Sequence, residues 1–272
     1  MYFLGMDIGS TTGKGLLLDG DEKILGTHIV EATTSPEKTA RRCLQVVLKK
    51  CGIKEDDITF VMGTGYGRVN FSFANANVSE ISCHAKGAKW LDPTIRTVLD
   101  IGGQDVKAIS VRDDGGIAEF VMNDKCAAGT GRFLQNQARA LGLDVGDFSE
   151  LSGQAEKPTT ISSQCSVFAE SEVITQVNEG FPVPDIVAGI HESIAVRLIG
   201  LLKRVGIKES LVVTGGCAKN QGLIGLLEKR AGMKVVQLKE DPQIVGALGA
   251  ALLARNRHLI EVEKKRETTV LN

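Results

Sequence analysis

Short apolar runs separated by glycine-rich breaks mark the chain at two places. Residues 2–6 and 97–99 are apolar runs that each lead into Asp-Ile-Gly, and a second apolar run follows each break, at residues 15–18 and 108–111. Runs of this length bounded by glycine are typical of strands, and two of them joined by a short break form a hairpin. The pattern therefore predicts two β-hairpins with glycine-rich turns.

The two predicted hairpins carry the same motif. Residues 7–14 read D-I-G-S-T-T-G-K and residues 100–107 read D-I-G-G-Q-D-V-K, so both fit D-I-G-x-x-x-x-K. Glycine lets a backbone come close to a ligand, so successive N–H groups can converge on an anion. The duplication predicts that both hairpins grip a polyphosphate, although either copy alone also fits an ordinary glycine turn.

Several residues of these loops are candidates for nucleotide binding. Asp7 and Asp100 are expected in the shell of a Mg²⁺ ion, held through water because Mg²⁺ sheds its hydration reluctantly. Lys14 either pairs with a phosphate or is an exposed lysine on a hairpin arm. The expected phosphate contacts are Gly9, Ser10, Thr11, Thr12, Gly102 and Gly103.

A third glycine element, residues 211–220, reads as a strand, a Gly-Gly turn and a helical stretch. Its backbone at Gly215 and Gly216, with Asn220, is a candidate surface for adenine or ribose. The sequence contains no G-x-x-x-x-G-K-[ST] in a strand-to-helix context, so the predicted ATP site is not a P-loop.

Helical segments make up much of the remaining pattern. Residues 79–90 and 242–255 are rich in small residues, which permit close helix crossing and fit either a hinge between domains or tight packing alone. Residues 186–205 are amphipathic, and we expect His191, Glu192 and Arg197 on a solvated face. The charged tail, residues 255–272, is expected to be a partly frayed extension.

Composition narrows the function classes. The chain has 272 residues, of which 43% are hydrophobic and 24% charged, as in a soluble globular protein. Lys plus Arg number 32 against 33 for Asp plus Glu, with no basic run interleaved with aromatics, so nucleic acid is not an expected partner. The longest apolar stretch, residues 244–254, is too short to span a bilayer, and no signal peptide pattern precedes Asp7. We expect no membrane association and a cytoplasmic location.

The order of these elements resembles the actin, hexokinase and heat-shock-chaperone ATPase superfamily. The resemblance implies an α/β, actin-like (ribonuclease H-like) fold, with nucleotide in the cleft between two α/β domains. Domain I would comprise residues 1–92, completed by 242–272. Domain II would comprise residues 93–241.

Within that superfamily, the chain is similar to the activators of 2-hydroxyacyl-CoA dehydratases, which are relatives of the ATPase subunits of benzoyl-CoA reductase. Sugar kinases and chaperones share the nucleotide elements but not the cysteine segments. The segments that carry the resemblance are residues 64–68, 80–85, 100–107, 123–133 and 162–172.

The resemblance implies that Cys126 and Cys165 ligate a [4Fe–4S] cluster. Each precedes a helical stretch, and the positive end of a helix favours the thiolate that metals bind. A cubane normally takes four thiolates, so two cysteines per chain imply a homodimer that shares one cluster. The other cysteines, at 43, 51, 83 and 217, are expected to be packed apolar residues.

The resemblance also implies a function. ATP binding and hydrolysis to ADP would change the domain angle and let one low-potential electron pass to a dehydratase (component D), with a ferredoxin or flavodoxin as the upstream donor. Gln104 is the candidate for orienting the hydrolytic water, and Asp105 is the rival general base. The alternatives are an electron donor for benzoyl-CoA reductase or another double-cluster reductase and, more remotely, a small-molecule kinase.

Overall fold

A computed structural model describes residues 1–162 and 165–270 of the chain. Residues 163 and 164, which belong to the second cysteine segment, and residues 271 and 272 of the tail lie outside the described residues. The chain divides into two compact units. Unit 1 comprises Met1–Pro93, Asp114–Gly116 and the residues from Lys239 onward, and unit 2 comprises Thr94–Asp113 and Ile117–Leu238.

Both units contain strands and helices, and each opens with three consecutive strands. The strands are β1 (Tyr2–Ile8), β2 (Thr12–Asp19), β3 (Ile24–Glu31), β4 (Ile58–Thr64), β5 (Ala76–Asn77), β6 (Thr97–Ile101), β7 (Val106–Val111), β8 (Ile117–Asn123) and β9 (Leu211–Thr214). The helices are α1 (Pro36–Cys51), α2 (Glu80–Leu91), α3 (Gly131–Leu141), α4 (Phe148–Gly153), α5 (Ser166–Asn178), α6 (Val183–Val205), α7 (Gln221–Ala231) and α8 (Val245–Val270). Short 3-10 turns occupy Glu55–Asp57, Val145–Asp147, Gly216–Lys219 and Pro242–Ile244.

The two sheets repeat one topology. Unit 1 has the strand order β3-β2-β1-β4-β5, and unit 2 has β8-β7-β6-β9. In each unit a hairpin, β1–β2 or β6–β7, is antiparallel, and the first strand of that hairpin pairs in parallel with a later strand, β4 or β9. Mixed sheets with helices confirm the predicted α/β class, and both predicted glycine-turn hairpins are present.

The sheet of unit 1 has helices on both faces because β1 alternates its side chains between them. Phe3 belongs to the cluster formed with α8, whereas Leu4 and Met6 belong to the cluster formed with α1. A Cβ on Gly5 would lie 1.9 Å from the carbonyl oxygen of Ala247 in α8. The absence of a side chain at Gly5 therefore lets α8 lie directly against the central strand.

The predicted close helix crossing occurs between α2 and α8 in unit 1. A Cβ on Gly249 would lie 1.8 Å from the carbonyl oxygen of Cys83, and one on Gly87 would lie 2.3 Å from that of Val245. Real Cβ contacts do not come this close, so both positions require glycine for the observed separation. The small residues of the two segments are thus explained by backbone-to-backbone packing.

Replacing Gly249 with Ala is expected to lower the free energy of unfolding by about 1–3 kcal/mol, because the added methyl group forces α2 and α8 apart. Gly225→Ala in α7 is the matched control, since a Cβ there meets nothing within 4 Å. The control should raise the free energy of unfolding by up to about 1 kcal/mol through helix propensity. Denaturant titration measures both, and a stabilising Gly249→Ala would contradict the packing described here.

Unit 2 is built around α6. Apolar side chains on α6, including Ile190, Ile194 and Leu198, are fully buried in a cluster with β6, β7 and β9. The sequence pattern predicted a helix over 186–205, and the helix begins slightly earlier, at Val183. α3, α4, α5 and α7 pack around it.

The interpretation of His191 as solvated is wrong. His191 is 1% exposed, and its ring packs edge-on against Phe148 with centroids 6.0 Å apart. Burial lowers the pKa of His191 to about 4, so the imidazole is neutral near pH 7. Glu192 and Arg197, which are half-buried, bind Arg230 and the carbonyl oxygen of Ser193. Neighbouring elements pack against more sides of α6 than an amphipathic pattern implies. Its polar side chains therefore contact other protein groups instead of solvent alone.

The tail does not fray after Arg255, because α8 continues as far as Val270. Arg255 anchors it by donating to the carbonyl oxygen of Gly20 (2.8 Å) and to a carboxylate oxygen of Glu22 (3.0 Å). His258 packs against Phe3, with ring centroids 5.8 Å apart. Among the described helices, none combines the length and the apolar character needed to cross a bilayer.

Candidate functional site

In the first hairpin, the D-I-G-x-x-x-x-K motif places an acid opposite a base. Asp7 is the penultimate residue of β1, and the strand register puts it directly across from Lys14 on β2. The Lys14 ammonium lies 3.1 Å from Asp7 Oδ2, and both side chains are largely buried. Lys14 is therefore not an exposed lysine. Its ammonium already neutralises the carboxylate of Asp7, whether or not it also contacts a ligand.

The second hairpin repeats this pair and adds a carboxylate. Asp100 faces Lys107 across the register, with 3.4 Å between Lys107 Nζ and Asp100 Oδ2. Lys107 Nζ also lies 2.6 Å from Asp105 Oδ2. All three residues are at most 3% exposed. Thr214 at the end of β9 donates to Asp100 Oδ1 (3.1 Å), so the carboxylate is held on two sides.

The loops of both hairpins close in the same way. Gly9 N–H donates to the carbonyl oxygen of Thr12 (3.0 Å), and Gly102 N–H donates to that of Asp105 (2.9 Å). In the first loop, Ser10 and Thr12 are half-buried, and among the described residues no group bonds the buried hydroxyl of Thr11. An unsatisfied buried hydroxyl beside loop N–H groups suits a phosphate oxygen.

Two threonine–glycine steps lie against the motif aspartates. The step at Gly215 was predicted as part of the adenosine loop, whereas the step at Gly65 was not predicted as part of the site. Gly65 follows β4 with φ +88° and Gly215 follows β9 with φ +86°. A Cβ on Gly65 would lie 2.6 Å from Asp7 Oδ1, and one on Gly215 would lie 3.1 Å from Asp100 Oδ1. Each parallel strand thus ends in a glycine that lets the chain turn against the motif aspartate. The signal was present in the sequence, since Thr-Gly follows an apolar run at Thr64 and again at Thr214.

The predicted adenosine loop joins β9 to α7. Gly216 begins its 3-10 turn, and Asn220 caps α7 by accepting from the N–H of Leu223 (3.0 Å). The side-chain amide of Asn220 also lies 2.9 Å from Nε2 of His191. The side chain of Asn220 is therefore engaged within the protein through both its oxygen and its nitrogen.

The six cysteines differ in how deeply they are buried. Cys43, Cys83 and Cys217 are buried, and burial raises the pKa of each thiol to about 12, which makes them poor metal ligands. Cys51 is half-buried. The exposed ones are Cys126 and Cys165, the two that the cysteine segments single out.

Several hydrogen bonds hold the turn that carries Cys126. The Asn123 side chain donates to the carbonyl oxygens of Cys126 (2.8 Å) and Ala128 (3.2 Å), and its Oδ1 accepts from the N–H of Cys126 (3.3 Å). The N–H of Ala128 lies 3.4 Å from Cys126 Sγ. Cys126 also lines a cavity of about 680 Å³ to which Arg197 contributes.

Cys165 lies at the N-cap of α5 and makes no side-chain capping bond there. α5 packs against α3, the helix that follows Cys126, and the Gln137 amide of α3 donates to the carbonyl oxygen of Ser166 (3.4 Å). Both exposed thiols therefore precede packed helices of unit 2. The positive potential at the start of a helix favours an anionic ligand set.

The sequence matches one family over most of its length. The model of the BadF/BadG/BcrA/BcrD ATPase family matches residues 4–254. The chain is 47% identical over 257 residues to the (R)-2-hydroxyglutaryl-CoA dehydratase activating ATPase of Acidaminococcus fermentans, covering 93% of this chain and 97% of that protein. It is 37% identical over 263 residues to one of the subunits of benzoyl-CoA reductase from Thauera aromatica, with 93% of each chain covered.

A solved relative has the same fold. The activator of the 2-hydroxyisocaproyl-CoA dehydratase from Clostridium difficile, determined with bound ADPNP, superposes with a TM-score of 0.91 at 40% identity. The superposition covers 97% of this chain and 98% of that one. This likeness confirms the predicted actin-like ATPase fold.

Proposed function

The chain belongs to the BadF/BadG/BcrA/BcrD ATPase family, and we propose that it is the ATP-driven activator of a 2-hydroxyacyl-CoA dehydratase, to which it donates one low-potential electron. Relatives that carry this name match nearly the whole chain. The observation that carries the proposal is the combination of two D-I-G hairpins with two exposed cysteines that each precede a packed helix.

ATP binding uses the two hairpin loops. Their N–H groups, with the hydroxyls of Ser10, Thr11 and Thr12, supply donors to the phosphates, and Gly9, Gly102 and Gly103 let the backbone approach them. Gly215 and Gly216 offer a flat backbone surface to the adenosine. ADP remains in the same site after hydrolysis.

The motif aspartates are the residues to which we assign Mg²⁺ binding. Asp7 and Asp100 are buried carboxylates that end central strands, and each is already paired with a lysine. A carboxylate engaged in this way binds a hydrated metal through water more readily than directly. We therefore assign both to the outer shell of the ion.

Gln104 is the residue that we assign to orienting the hydrolytic water. It is exposed at the tip of the second loop, whereas Asp105 is buried against Lys107. The Asp105 carboxylate is already engaged by the Lys107 ammonium, with 2.6 Å between Asp105 Oδ2 and Lys107 Nζ. Asp105 therefore serves the loop as a structural charge.

Replacing Gln104 with Ala is expected to lower kcat for ATP hydrolysis by about 100-fold, within the usual range for loss of a group that positions the attacking water. Nucleotide affinity should change little, because the loop backbone is intact. Gln154→Ala, at an exposed glutamine of the same unit, is the control. Unchanged steady-state hydrolysis in Gln104→Ala would contradict the assignment of Gln104 to orienting the hydrolytic water.

Cys126 and Cys165 fit the ligand set of a [4Fe–4S] cluster. They are accessible thiols, and the N–H of Ala128 is directed at Cys126 Sγ, as hydrogen bonds to cluster sulfur are. When bound, such a cluster supplies storage of one electron at low potential. Because one chain offers two exposed thiols and a cubane takes four, two copies of the chain share one cluster as a homodimer.

The remaining partners follow from this role. A reduced ferredoxin or flavodoxin supplies the electron, the dehydratase (component D) accepts it, and the reaction takes place in the cytoplasm. The test is anaerobic purification: the protein should be brown and hold about four Fe and four sulfide per two chains. Colourless protein that takes up no iron on reconstitution would contradict the proposal.

Donation to a benzoyl-CoA reductase is the second candidate, and the 37% identity to one of the subunits of that enzyme favours it. The two candidates share the nucleotide site and the thiols, so they differ only in the electron acceptor. Incubating the reduced protein and ATP with a 2-hydroxyacyl-CoA dehydratase or with the catalytic part of a benzoyl-CoA reductase separates them. Turnover with the reductase alone would replace the first proposal by the second.

A further inference from the structure

The second phosphate loop is bonded directly to the start of α3. Gly131 N–H donates to the carbonyl oxygen of Gly102 (2.9 Å), and Arg132 N–H donates to that of Gly103 (2.9 Å). The first N–H groups of a helix have no partner inside it and normally bind water, a cap or a ligand. Here two carbonyl oxygens of the phosphate loop accept these hydrogen bonds, so the N-terminus of α3 packs directly against the loop.

Close contact at this junction depends on Gly131. A Cβ there would lie 3.3 Å from the carbonyl oxygen of Gly102, 3.5 Å from Cys217 Sγ and 3.6 Å from Gly103 Cα. The first of these distances is tighter than ordinary van der Waals contact. The junction is therefore closely packed, and its two hydrogen bonds link the loop to the start of α3.

The start of α3 is tied in turn to the turn of Cys126. The hydroxyl of Thr130, the N-cap of α3, donates to the carbonyl oxygen of Ala127 (2.6 Å), and the N–H of Thr130 approaches the same oxygen (3.0 Å). Asn123 bridges Cys126 and Ala128 from the other side. Residues 126–130 thus form a short bonded frame between Cys126 and the helix.

The sheet provides a second connection between residues 126–130 and the second phosphate loop. Asn123 ends β8 and pairs with Val106, the first residue of β7. Val106 directly follows Asp105, whose carbonyl oxygen closes the phosphate loop. The Cys126 turn is therefore attached to the loop at both of its ends, by α3 and by the β7–β8 pair.

We propose that the backbone N–H groups of Gly131 and Arg132 are positioning groups that transmit the nucleotide state of the second phosphate loop to Cys126. The proposal rests on the proposed function, because it takes Gly102 and Gly103 as phosphate contacts. A trans peptide is planar, with its C=O and N–H on opposite edges. The carbonyls of Gly102 and Gly103 lie in the same planes as the N–H groups of Gly103 and Gln104. A phosphate that draws those N–H groups therefore turns the carbonyls that hold α3.

The test uses Arg132→Pro against Arg132→Ala in the full-length, iron-loaded protein. Proline lacks the N–H and places its ring against the carbonyl oxygen of Gly103, and the first turn of a helix accepts it. Alanine keeps the N–H and removes only an exposed side chain. The readout is the rate at which a chelator removes iron, with and without a non-hydrolysable ATP analogue and Mg²⁺.

In the parent protein and in Arg132→Ala, the analogue should change the chelation rate by roughly two- to tenfold, the size that one hydrogen bond produces. In Arg132→Pro the two rates should agree, although the analogue still binds. The same analogue-dependent change in Arg132→Pro as in Arg132→Ala would overturn the proposal, as would no change in the parent protein.

A second variant and a second measurement keep the test decisive. If Arg132→Pro fails to fold or to bind nucleotide, Gly131→Pro replaces it, because the first helical position accepts proline and the substitution removes the N–H that binds Gly102. A full analogue-dependent change in Gly131→Pro overturns the proposal. Alkylation of Cys126 after iron removal, followed by peptide mass spectrometry in a Cys165→Ser background, should show the same dependence. A protein that never holds iron contradicts the proposed function, whereas this alkylation measurement still decides the coupling.

Discussion

Replacing Cys126 with Ala is expected to reduce iron from about four Fe per two chains to less than about one, because a cubane that loses two of its four thiolates at once is not retained. Cys165→Ala should have the same effect. In a homodimer that shares one cluster, each substitution removes a ligand from both copies. Iron and sulfide analysis after anaerobic reconstitution measures the change.

Cys51→Ala is the matched control for these variants. It also removes a thiol that is not fully buried, but Cys51 ends α1 in unit 1, whereas both cysteine segments belong to unit 2. The control should bind as much iron as the parent protein. If Cys51→Ala lost iron, or if Cys126→Ala kept a full complement, the assignment of the ligand set would be contradicted.

The second large effect is expected at Lys107. Replacing it with Met should lower the free energy of unfolding by about 3–5 kcal/mol, the usual result when one partner of a buried ion pair is removed. Lys107 lies between Asp100 and Asp105, and all three are at most 3% exposed. Without the ammonium, two carboxylates would be left buried, close together and uncompensated.

Lys14→Met is the matched control, since Lys14 occupies the same place in the first hairpin. It neutralises a single carboxylate, Asp7, and its side chain is 14% exposed. A smaller loss of stability is therefore expected. Denaturant titration monitored by circular dichroism gives both values, and an equal or larger loss for Lys14→Met would contradict the charge arrangement of the second hairpin.

The hairpins and the class of the fold could be predicted because they are encoded locally. Glycine-bounded apolar runs specify strands, and a repeated D-I-G-x-x-x-x-K motif specifies that the unit occurs twice. The same spacing also fixes that Asp7 faces Lys14 and that Asp100 faces Lys107, although this pairing becomes visible only with the strand register. Family resemblance, and not periodicity, supplied the pairing of Cys126 with Cys165.

Other features escaped prediction because they depend on residues far apart in the chain. Gly65 lies beside Asp7 because β4 runs parallel to β1. The local sequence at this position shows only a threonine and a glycine after an apolar run. His191 is buried by contacts with Phe148 and Asn220, which lie more than twenty-five residues away on either side. The bonds between the second loop and α3 likewise require the folded chain. Burial and long-range hydrogen bonding override what a helical pattern alone suggests.

ATP is expected to drive an electron from this protein to a dehydratase. The visible absorbance of the anaerobically reduced protein, followed after addition of a 2-hydroxyacyl-CoA dehydratase with and without ATP and Mg²⁺, tests this transfer. We expect oxidation of the reduced protein that requires both ATP and the dehydratase and is absent in Cys126→Ala. Oxidation at the same rate without ATP, or none when every component is present, would contradict it.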